Sequence, residues 1–227
     1  MAKRFQVDTN GTLLTGLVSY FKLEDGNDFF GANHLTNYNT VIFEAGKIGN
    51  SAKFNGTTNY LKRDNVLSAV VDNWSMFGWV YVPTVSEMGC FFHNGTMDLN
   101  GYSIGVGAGY QDSVGNELIG AACGLLWHGY GINIGTGWHF VGAIRNAGIE
   151  TGYVDNVAGG TTYADAPAIP TAYCIMGADG GPNRFWKDKF DEFGFWNKVL
   201  SAQERTDLYN GGAGQTMIDT ANFFLMF

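Results

Sequence analysis

The sequence predicts an all-β protein, an antiparallel two-sheet jelly-roll sandwich with one short helix near the C-terminus. The chain of 227 residues contains 33 glycines and only 4 prolines, a composition typical of many short strands joined by tight turns. Apolar segments of strand length recur between turns rich in glycine and asparagine. A helix start signal and a helix stop signal frame residues 201–212.

The N-terminal half begins with weak patterns and then becomes strand-like. Residues 1–15 have the composition of a polar arm, and residues 17–23 alternate well enough for a first strand. A long polar loop follows at residues 24–39. Pro83 ends the strand that begins at Trp74, because proline donates no ladder hydrogen bond. Further strands are predicted at residues 52–54, 74–82, 90–93, 102–106, 118–127, 131–134, 138–145 and 174–177, and a hairpin is predicted at residues 152–157.

The last predicted strand, residues 189–196, is rich in aromatic side chains. Simple alternation places Phe190 and Trp196 on one row and Phe193 and Phe195 on the other. Apolar residues on both rows are typical of a strand that is buried on both faces. We therefore expect this strand to be covered on both sides.

A short helix is predicted over Ala202–Tyr209. Ser201 followed three residues later by Glu204 forms a capping box, which satisfies the free amides at a helix start. Two glycines, at 211 and 212, end the helix. Its apolar side is narrow, so we expect it to lie on the sandwich rather than to build a core of its own.

Several segments carry longer motifs: GKIGNSAKFNG at 46–56, WSMFGWVYV at 74–82, FDEFGFW at 190–196 and LSAQERTDLYNGG at 200–212. In this order they resemble the signatures of laminin-G-like, or concanavalin A-like lectin/glucanase, jelly-roll domains. Lys189 stands where the family usually has glycine. The resemblance implies a jelly-roll domain over residues 16–214, preceded by an N-terminal arm (1–15) and followed by a C-terminal apolar tail (215–227).

The composition argues against several classes of function. The formal net charge is −8 with 15% charged residues, so no basic surface is expected and nucleic acid is not predicted as a partner. No signal peptide is evident, and no segment is long and apolar enough for a transmembrane helix. The three cysteines are expected to be small buried hydrophobic residues.

Catalytic motifs are absent from the sequence. Glycosidases of the concanavalin A-like fold present two carboxylates on one strand face, typically as E-x-D-x-x-E, and the chain lacks that pattern. Asp191 and Glu192 are adjacent in a predicted strand, so alternation would send them to opposite faces. We therefore interpret the chain as a non-enzyme, with a glycoside hydrolase as a minor alternative.

The resemblance also implies a structural calcium ion. Family members often hold calcium between the D-x-x-G loop and the aspartate of the DE strand, and the matching residues are Asp28 and Asp191. Carboxylate and carbonyl oxygens suit this cation. The alternative is that Asp191 only accepts hydrogen bonds from the N-terminal loop, without any metal.

A sugar site needs exposed aromatic rings beside amide or carboxylate groups, because a pyranose offers one apolar face and several hydroxyls. Three segments, all predicted to be loops, provide such groups. Each of these aromatic residues has packing in the core as its alternative role. The candidates are Tyr110 and Gln111; Trp127, His128 and Tyr130; and Asp179, Asn183 and Trp186.

The leading hypothesis is a non-catalytic recognition module that binds a glycan or surface polysaccharide, or acts as an adhesin, on the extracellular face of a particle or cell. The alternative is a structural or decoration protein of a virion or similar assembly, with the terminal segments docking on a protein partner. The tail ends in five apolar residues, which would suit either such a docking peptide or a strand packed on the protein itself.

Overall fold

Two antiparallel sheets pack face to face in the computed structural model, which describes residues 12–84, 88–96, 99–108, 115–122, 126–165 and 167–216. The prediction of an all-β sandwich is confirmed. Sheet 1 contains β1 (Leu17–Phe21), β3 (Ile42–Ala45), β4 (Asn50–Asn55), β6 (Trp74–Val82), β11 (Gly137–Asn146), β12 (Ile149–Val154), β13 (Val157–Tyr163) and β15 (Lys187–Trp196). Sheet 2 contains β2 (Thr36–Tyr38), β5 (Tyr60–Arg63), β7 (Gly89–Asn94), β8 (Tyr102–Ala108), β9 (Asn116–Ala122), β10 (Leu126–Asn133) and β14 (Cys174–Met176).

The order of the strands explains which of them the sequence predicts. In sheet 1 the order is β13-β12-β11-β6-β15-β4-β3, with β1 paired to β15. In sheet 2 the order is β10-β9-β8-β7-β14-β5-β2. The prediction misses β2, β3 and β13, which all lie at sheet edges and are largely exposed. Edge strands bury few side chains, so they leave little hydrophobic periodicity in the sequence.

The predicted strand over residues 118–127 is wrong, because this run is divided between two strands. β9 ends at Ala122, and β10 begins at Leu126, which pairs with Ala122. Trp127 therefore belongs to β10 and lies opposite Ala121. Apolar residues lie on both sides of the boundary between the two strands, so hydrophobic periodicity does not reveal where one strand ends and the next begins.

A β-bulge in β15 changes the predicted rows of its side chains. The pairing with β6 shifts between Asp191 and Gly194, and Glu192 adopts a φ of 51°. The extra residue lets Phe190, Phe193 and Phe195 all join the core between the sheets, whereas alternation alone separated Phe190 from the other two. Bulges of this kind re-aim the side chains that follow them.

The core between the sheets is built largely from aromatic rings. Trp74 of β6 stacks on Tyr102 of β8 with ring centroids 4.6 Å apart, and Phe92 of β7 lies 4.6 Å from Phe193 of β15. Each pair joins one sheet to the other. Aromatic pairs at such distances add to the stabilisation from burial, so these contacts hold the two layers together.

A second cluster covers the outer face of sheet 1, and we call it the outer cluster. It contains the outward side chains of the central strands together with residues of the N-terminal segment and the helix. The cluster consists of Leu13, Leu17, Tyr20, Phe77, Trp79, Phe140, Ile144, Trp196, Leu200 and Leu208.

Helix α1 spans Ala202–Tyr209, as predicted, with the Ser201–Glu204 capping box formed. Among the described residues no helix has the length and hydrophobicity needed to span a membrane.

One edge of the sandwich is closed where β10 meets β12 and β13. There the hydroxyl of Tyr130 donates a hydrogen bond to the carboxylate of Glu150, and Nη1 of Arg145 lies 3.8 Å from Oε2 of Glu150. Burial raises the pKa of Glu150 to about 7, although Tyr130 and Arg145 both act to lower it. This buried carboxyl group therefore holds its proton up to near neutral pH.

Candidate functional site

The loop between β14 and β15, residues 177–186, lies on the outer face of sheet 2. The amide of Cys90 donates to the carbonyl of Arg184 at 2.8 Å, and the amide of Gly177 donates to the carbonyl of Phe91 at 3.0 Å. A Cβ atom at residue 180 would lie 2.5 Å from Nε2 of His93, so the close approach requires Gly180. We call this segment the covering loop.

Asp179 organises the covering loop from within. Its side chain is buried, Oδ1 accepts a hydrogen bond from the amide of Asn183 at 2.9 Å, and Oδ2 pairs with the guanidinium of Arg184. The amide of Asp179 donates in return to the carbonyl of Asn183 at 3.0 Å. A buried carboxylate engaged on both oxygens fixes the loop in one conformation.

Arg184 joins two groups of predicted site residues that are far apart in sequence. Its guanidinium carbon lies 5.5 Å from the centre of the Trp127 ring, while its Nη1 contacts Asp179. The structure thus places Asp179, Asn183 and Trp127 around one arginine. Trp127 itself is only 2% exposed and packs against Cys90 and other small or apolar residues of sheet 2.

Three of the predicted aromatic platforms are buried, so the expectation that they expose a ring is wrong. Trp127 and Tyr130 lie in strand β10 rather than in a loop, with Trp127 under Arg184 and Tyr130 turned into the core between the sheets. Trp186 packs edge-on against Phe91 at 4.6 Å and is fully buried. Their large apolar area is removed from water, where it stabilises the fold.

The remaining predicted site residues have different positions. His128 stacks on Tyr163 at 4.1 Å and its Nε2 lies 3.0 Å from Oδ2 of Asp165, at the edge closed by β10 and β13. Asn183 is exposed at the tip of the covering loop. Tyr110 and Gln111 lie outside the described residues.

A strip of partly buried aromatic rings runs from the strands beside the covering loop onto the loop itself, and sequence reasoning missed its two tyrosines. Tyr38 of β2 stacks on Tyr60 of β5 with centroids 4.9 Å apart, and Phe185 lies 6.4 Å from Tyr60. We call Tyr38, Tyr60 and Phe185 the aromatic strip. The tyrosines face each other across a strand pair, and the signal for that pair was weak because β2 has only three residues.

Polar groups border the aromatic strip. Lys62, two residues after Tyr60 on the same strand face, holds its Nζ 5.1 Å from the ring of Tyr173, and the Tyr173 hydroxyl donates to the carbonyl of Gly180 at 2.9 Å. The surface therefore offers ring faces, an ammonium group and the amide of Asn183. Its central carboxylate, Asp179, is fully engaged, so this arrangement suits recognition rather than proton transfer.

Asp28, one of the two predicted calcium ligands, organises its own loop. Its Oδ1 accepts hydrogen bonds from the amides of Tyr20, Phe30 and Gly31 at 3.0, 3.1 and 2.9 Å, and its Oδ2 accepts one from the amide of Asn33 at 3.1 Å. These bonds occupy the lone pairs of Oδ1. Asp28 therefore organises this loop, and only its Oδ2 keeps a lone pair for a further ligand.

Asp191, the other predicted ligand, is differently placed. Its Oδ2 accepts hydrogen bonds from the amides of Lys47 and Ile48 at 2.8 and 2.9 Å, while its buried Oδ1 has no hydrogen-bond partner among the described residues. Burial raises the pKa of Asp191 to about 7, and the nearby Glu24 carboxylate adds to the rise. A cation would fit the free oxygen, although no group of three or more acidic, histidine or cysteine side chains surrounds it in the described structure.

The expectation that Asp191 and Glu192 point to opposite faces is also wrong. Asp191 lies opposite Trp79 of the outer cluster, and the carboxylate of Glu192 accepts a hydrogen bond from the hydroxyl of Tyr20, another member of that cluster. The bulge at Glu192 turns both carboxylates to the outer side of sheet 1. Burial holds the pKa of Glu192 well above its usual range.

The fold of this chain is similar to that of several solved β-sandwich domains. Domain 4 of AbnA, a GH43 extracellular arabinanase from Geobacillus stearothermophilus, was solved in complex with arabinotriose. It matches with a TM-score of 0.67 at 20% identity, over 88% of this chain and 98% of that one. At this identity the likeness shows the fold alone.

Two toxin domains share the fold over part of their length. The binding domain of Paraclostridial Mosquitocidal Protein 1 matches with a TM-score of 0.65 at 15% identity, over 88% of this chain and 53% of that one. The binding domain of Botulinum Neurotoxin DC in complex with SialylT matches with a TM-score of 0.61 at 12% identity, over 86% and 51%. This chain therefore spans about half of each toxin domain. No protein-family model and no curated protein sequence matches the chain.

Proposed function

We propose that this protein is a non-catalytic glycan-recognition module and that the sugar binds on the outer face of sheet 2, along the aromatic strip. The observation that carries the proposal is the strip itself: Tyr38, Tyr60 and Phe185 lie in a row, partly buried and partly open to solvent. Rings held in this way form a fixed, partly exposed apolar surface on a rigid scaffold.

The chemistry of this surface suits a saccharide. The C–H face of a sugar ring stacks on an aromatic ring, while hydroxyl groups need directed donors and acceptors. Asn183 supplies such groups at the border of the strip, and so does Lys62, whose Nζ also pairs with Oδ1 of Asp64 at 2.6 Å. The covering loop is already fixed by Asp179, so little conformational entropy is lost when a ligand binds.

The likeness to Domain 4 of AbnA supports this proposal and suggests the first ligand to test. That domain was solved with arabinotriose, and this chain covers 98% of it. The toxin domains support it less directly, since only half of each is matched and SialylT need not contact that half. Arabinotriose is therefore the first probe.

Calorimetric titration with arabinotriose, followed by a glycan array, tests the proposal. We expect Tyr60→Ala and Phe185→Ala each to weaken binding about 5- to 150-fold, because stacking of a ligand on an aromatic ring is worth about 1–3 kcal/mol. Phe30→Ala is the matched control, since Phe30 is 43% exposed but lies on a different loop. Equal affinity in all three variants, or no binding across the array, would contradict the proposed site.

We also propose a calcium ion at Asp191, with Asp28 as a loop organiser and not a ligand. Support comes from the buried, unpartnered Oδ1 of Asp191 and from the oxygen chemistry that calcium prefers. Bound calcium would stabilise the turn at residues 46–49 that Asp191 holds.

Thermal unfolding with calcium and with a chelator separates these two roles. We expect calcium to raise the Tm of the wild type, since a ligand that binds only the folded state stabilises it. Asp191→Asn should remove that rise. Asp28→Asn should lower the Tm equally with and without calcium. If the wild type had the same Tm with calcium and with the chelator, the calcium proposal would be refuted.

Display on the surface of a particle or cell is part of the proposed function. The alternative, which comes from the sequence alone, is a structural role in a virion or similar assembly. Most of the N-terminal arm and of the C-terminal tail lies outside the described residues, so both ideas stay predictions. Removing residues 217–227 separates them. Glycan binding without change of assembly favours the recognition module, whereas loss of assembly favours the docking role.

A further inference from the structure

One end of the outer face of sheet 1 keeps two aromatic side chains partly open to solvent. Tyr81 of β6 lies opposite Trp138 of β11, and their rings meet edge to face with centroids 5.6 Å apart. Trp138 packs against the outer cluster but is only half-buried, whereas the other tryptophans of the chain are each at most 2% exposed. We call these two residues the Tyr81–Trp138 pair.

The helical cover of this face stops just before the Tyr81–Trp138 pair. Ahead of helix α1, the amide of Leu200 donates a hydrogen bond to Oγ of Ser75 at 2.9 Å. At the end of the helix, Tyr209 stacks on Trp79 with centroids 6.0 Å apart. The helical segment therefore follows β6 from residue 75 to residue 79. Side chains two residues apart on a strand share a face and lie about 7 Å apart, so Tyr81 is the next outward position beyond this cover.

The chain leaves the described structure close to this point. A Cβ atom at Gly214 would lie 3.0 Å from Nε1 of Trp79 and 3.0 Å from Cδ1 of Ile48, so the backbone after the helix lies directly against Trp79. Thr216 is the last described residue. Residues 217–227 follow, and an extended chain of that length spans about 36 Å. The Tyr81–Trp138 pair is therefore well within their reach.

The composition of residues 217–227 suits an apolar surface. The segment reads MIDTANFFLMF, in which Asp219 is the one charged residue. Burying apolar side chains removes their area from water, and aromatic rings gain further from edge-to-face contacts. Because the segment is tethered close to the pair, its effective concentration there far exceeds that of a second copy of the chain. Cover by the segment's own chain is thus favoured over cover by another molecule.

We propose that residues 217–227 fold back onto the outer face of sheet 1 and cover Tyr81 and Trp138 of their own chain. Phe223 and Phe224 supply the rings that pack on the pair. The cover of sheet 1 is then completed by three parts of the chain, namely the N-terminal segment, the helix and this C-terminal segment. The covered face lies on the opposite side of the sandwich from the aromatic strip, so the inference does not depend on the proposed glycan site.

Quenching of tryptophan fluorescence by acrylamide tests this proposal in the full chain, because Trp138 is the tryptophan most open to a dissolved quencher. We expect Phe223→Ser/Phe224→Ser to raise the quenching constant and to shift the emission to longer wavelength. Phe5→Ser, a change of the same kind in the N-terminal arm, is the matched control and should leave both unchanged. In a Trp138→Phe background the tail substitutions should have no effect on quenching, which assigns the signal to this ring.

Sedimentation at several protein concentrations separates cover by the same chain from cover by a second copy. We expect the wild type and the tail variant to have the same mass, and the quenching of the wild type to be independent of concentration. Unchanged quenching in Phe223→Ser/Phe224→Ser would overturn the proposal, and so would a rise that persists without Trp138. A wild-type dimer that the tail variant cannot form, with quenching that increases on dilution, would overturn it in favour of a second copy.

Discussion

The two outer faces of the sandwich carry aromatic side chains, but they use them differently. On sheet 1, Trp79 and Trp196 are buried beneath the helix and the N-terminal segment. On sheet 2, Tyr38, Tyr60 and Phe185 stay partly open to solvent. Strand alternation brings aromatic rings to both outer surfaces, so what covers each sheet decides whether its rings become core or binding surface.

The two coverings are built from different interactions. The helix packs on sheet 1 through apolar contacts, such as the stacking of Tyr209 on Trp79 at 6.0 Å. The covering loop is held on sheet 2 by backbone hydrogen bonds and by the ion pair of Asp179 with Arg184. Apolar contacts cover broad areas, whereas directed bonds hold a narrow segment and leave neighbouring rings free.

The largest predicted difference between the faces is in stability. Trp196 is fully buried and its Nε1 donates to the carbonyl of Leu13 at 2.7 Å. Trp196→Ala should lower the free energy of unfolding by about 3–5 kcal/mol. Tyr60→Ala should lower it by only about 1 kcal/mol, because its ring is partly exposed and the loss is one cross-strand pair. Urea denaturation measures both, and equal losses would remove the distinction between the faces.

The edge that joins the sheets should carry a pH dependence of its own, through Glu150. The carboxyl of Glu150 has a pKa of about 7 when folded and 4.5 when unperturbed, so the folded state binds more protons between these values. The contribution of Glu150 to the free energy of unfolding should therefore fall by about 3 kcal/mol as pH rises from about 4 to 8. Denaturation at several pH values, with Glu150→Gln beside the wild type, measures this slope.

In Glu150→Gln the free energy of unfolding should fall by about 3 kcal/mol less than in the wild type between pH 4 and 8. Glu44→Gln is the control, since Glu44 is a surface residue paired with Lys53 and its removal should leave the slope of this pH range intact. If Glu150→Gln kept the wild-type pH dependence of the free energy of unfolding, Glu150 would not be the group that titrates in this range.

Breaking the ion pair of the covering loop should have a moderate effect that is confined to sheet 2. The side chain of Asp179 is 1% exposed and that of Arg184 is 18% exposed, so Arg184→Gln leaves a buried carboxylate with the Asn183 amide alone. We expect a loss of about 2 kcal/mol in the free energy of unfolding, together with weaker glycan binding. The double variant with Asp179→Asn should recover part of the stability. Wild-type stability in Arg184→Gln would show that the pair does not hold the loop.

The smallest effect is expected at the start of the helix on sheet 1. Ser201→Ala removes the side-chain acceptor for the amide of Glu204, which lies 3.2 Å away, and should cost about 1 kcal/mol. Gln203→Ala, an exposed change on the same helix, should cost less than about 0.5 kcal/mol. Urea denaturation compares them, with glycan binding measured in parallel. If Ser201→Ala altered glycan binding, the two faces would not be independent.

The sequence by itself determined the fold class, the central strand β6 and helix α1 with its cap. These features depend on local chemistry: period-two alternation, Pro83 after β6, and the reciprocal bonds of Ser201 and Glu204. Each is set by residues within one short segment. No distant contact is needed to predict them.

The tertiary structure alone decided which aromatic residues are available to a ligand. Trp127 and Trp186 looked like binding residues but are covered by partners from distant segments, while Tyr38 lay in an edge strand too short to detect. The bulge at Glu192 likewise arises from pairing with β6. Burial and register depend on pairs of segments brought together by folding, and that information is not contained in the periodicity of either segment.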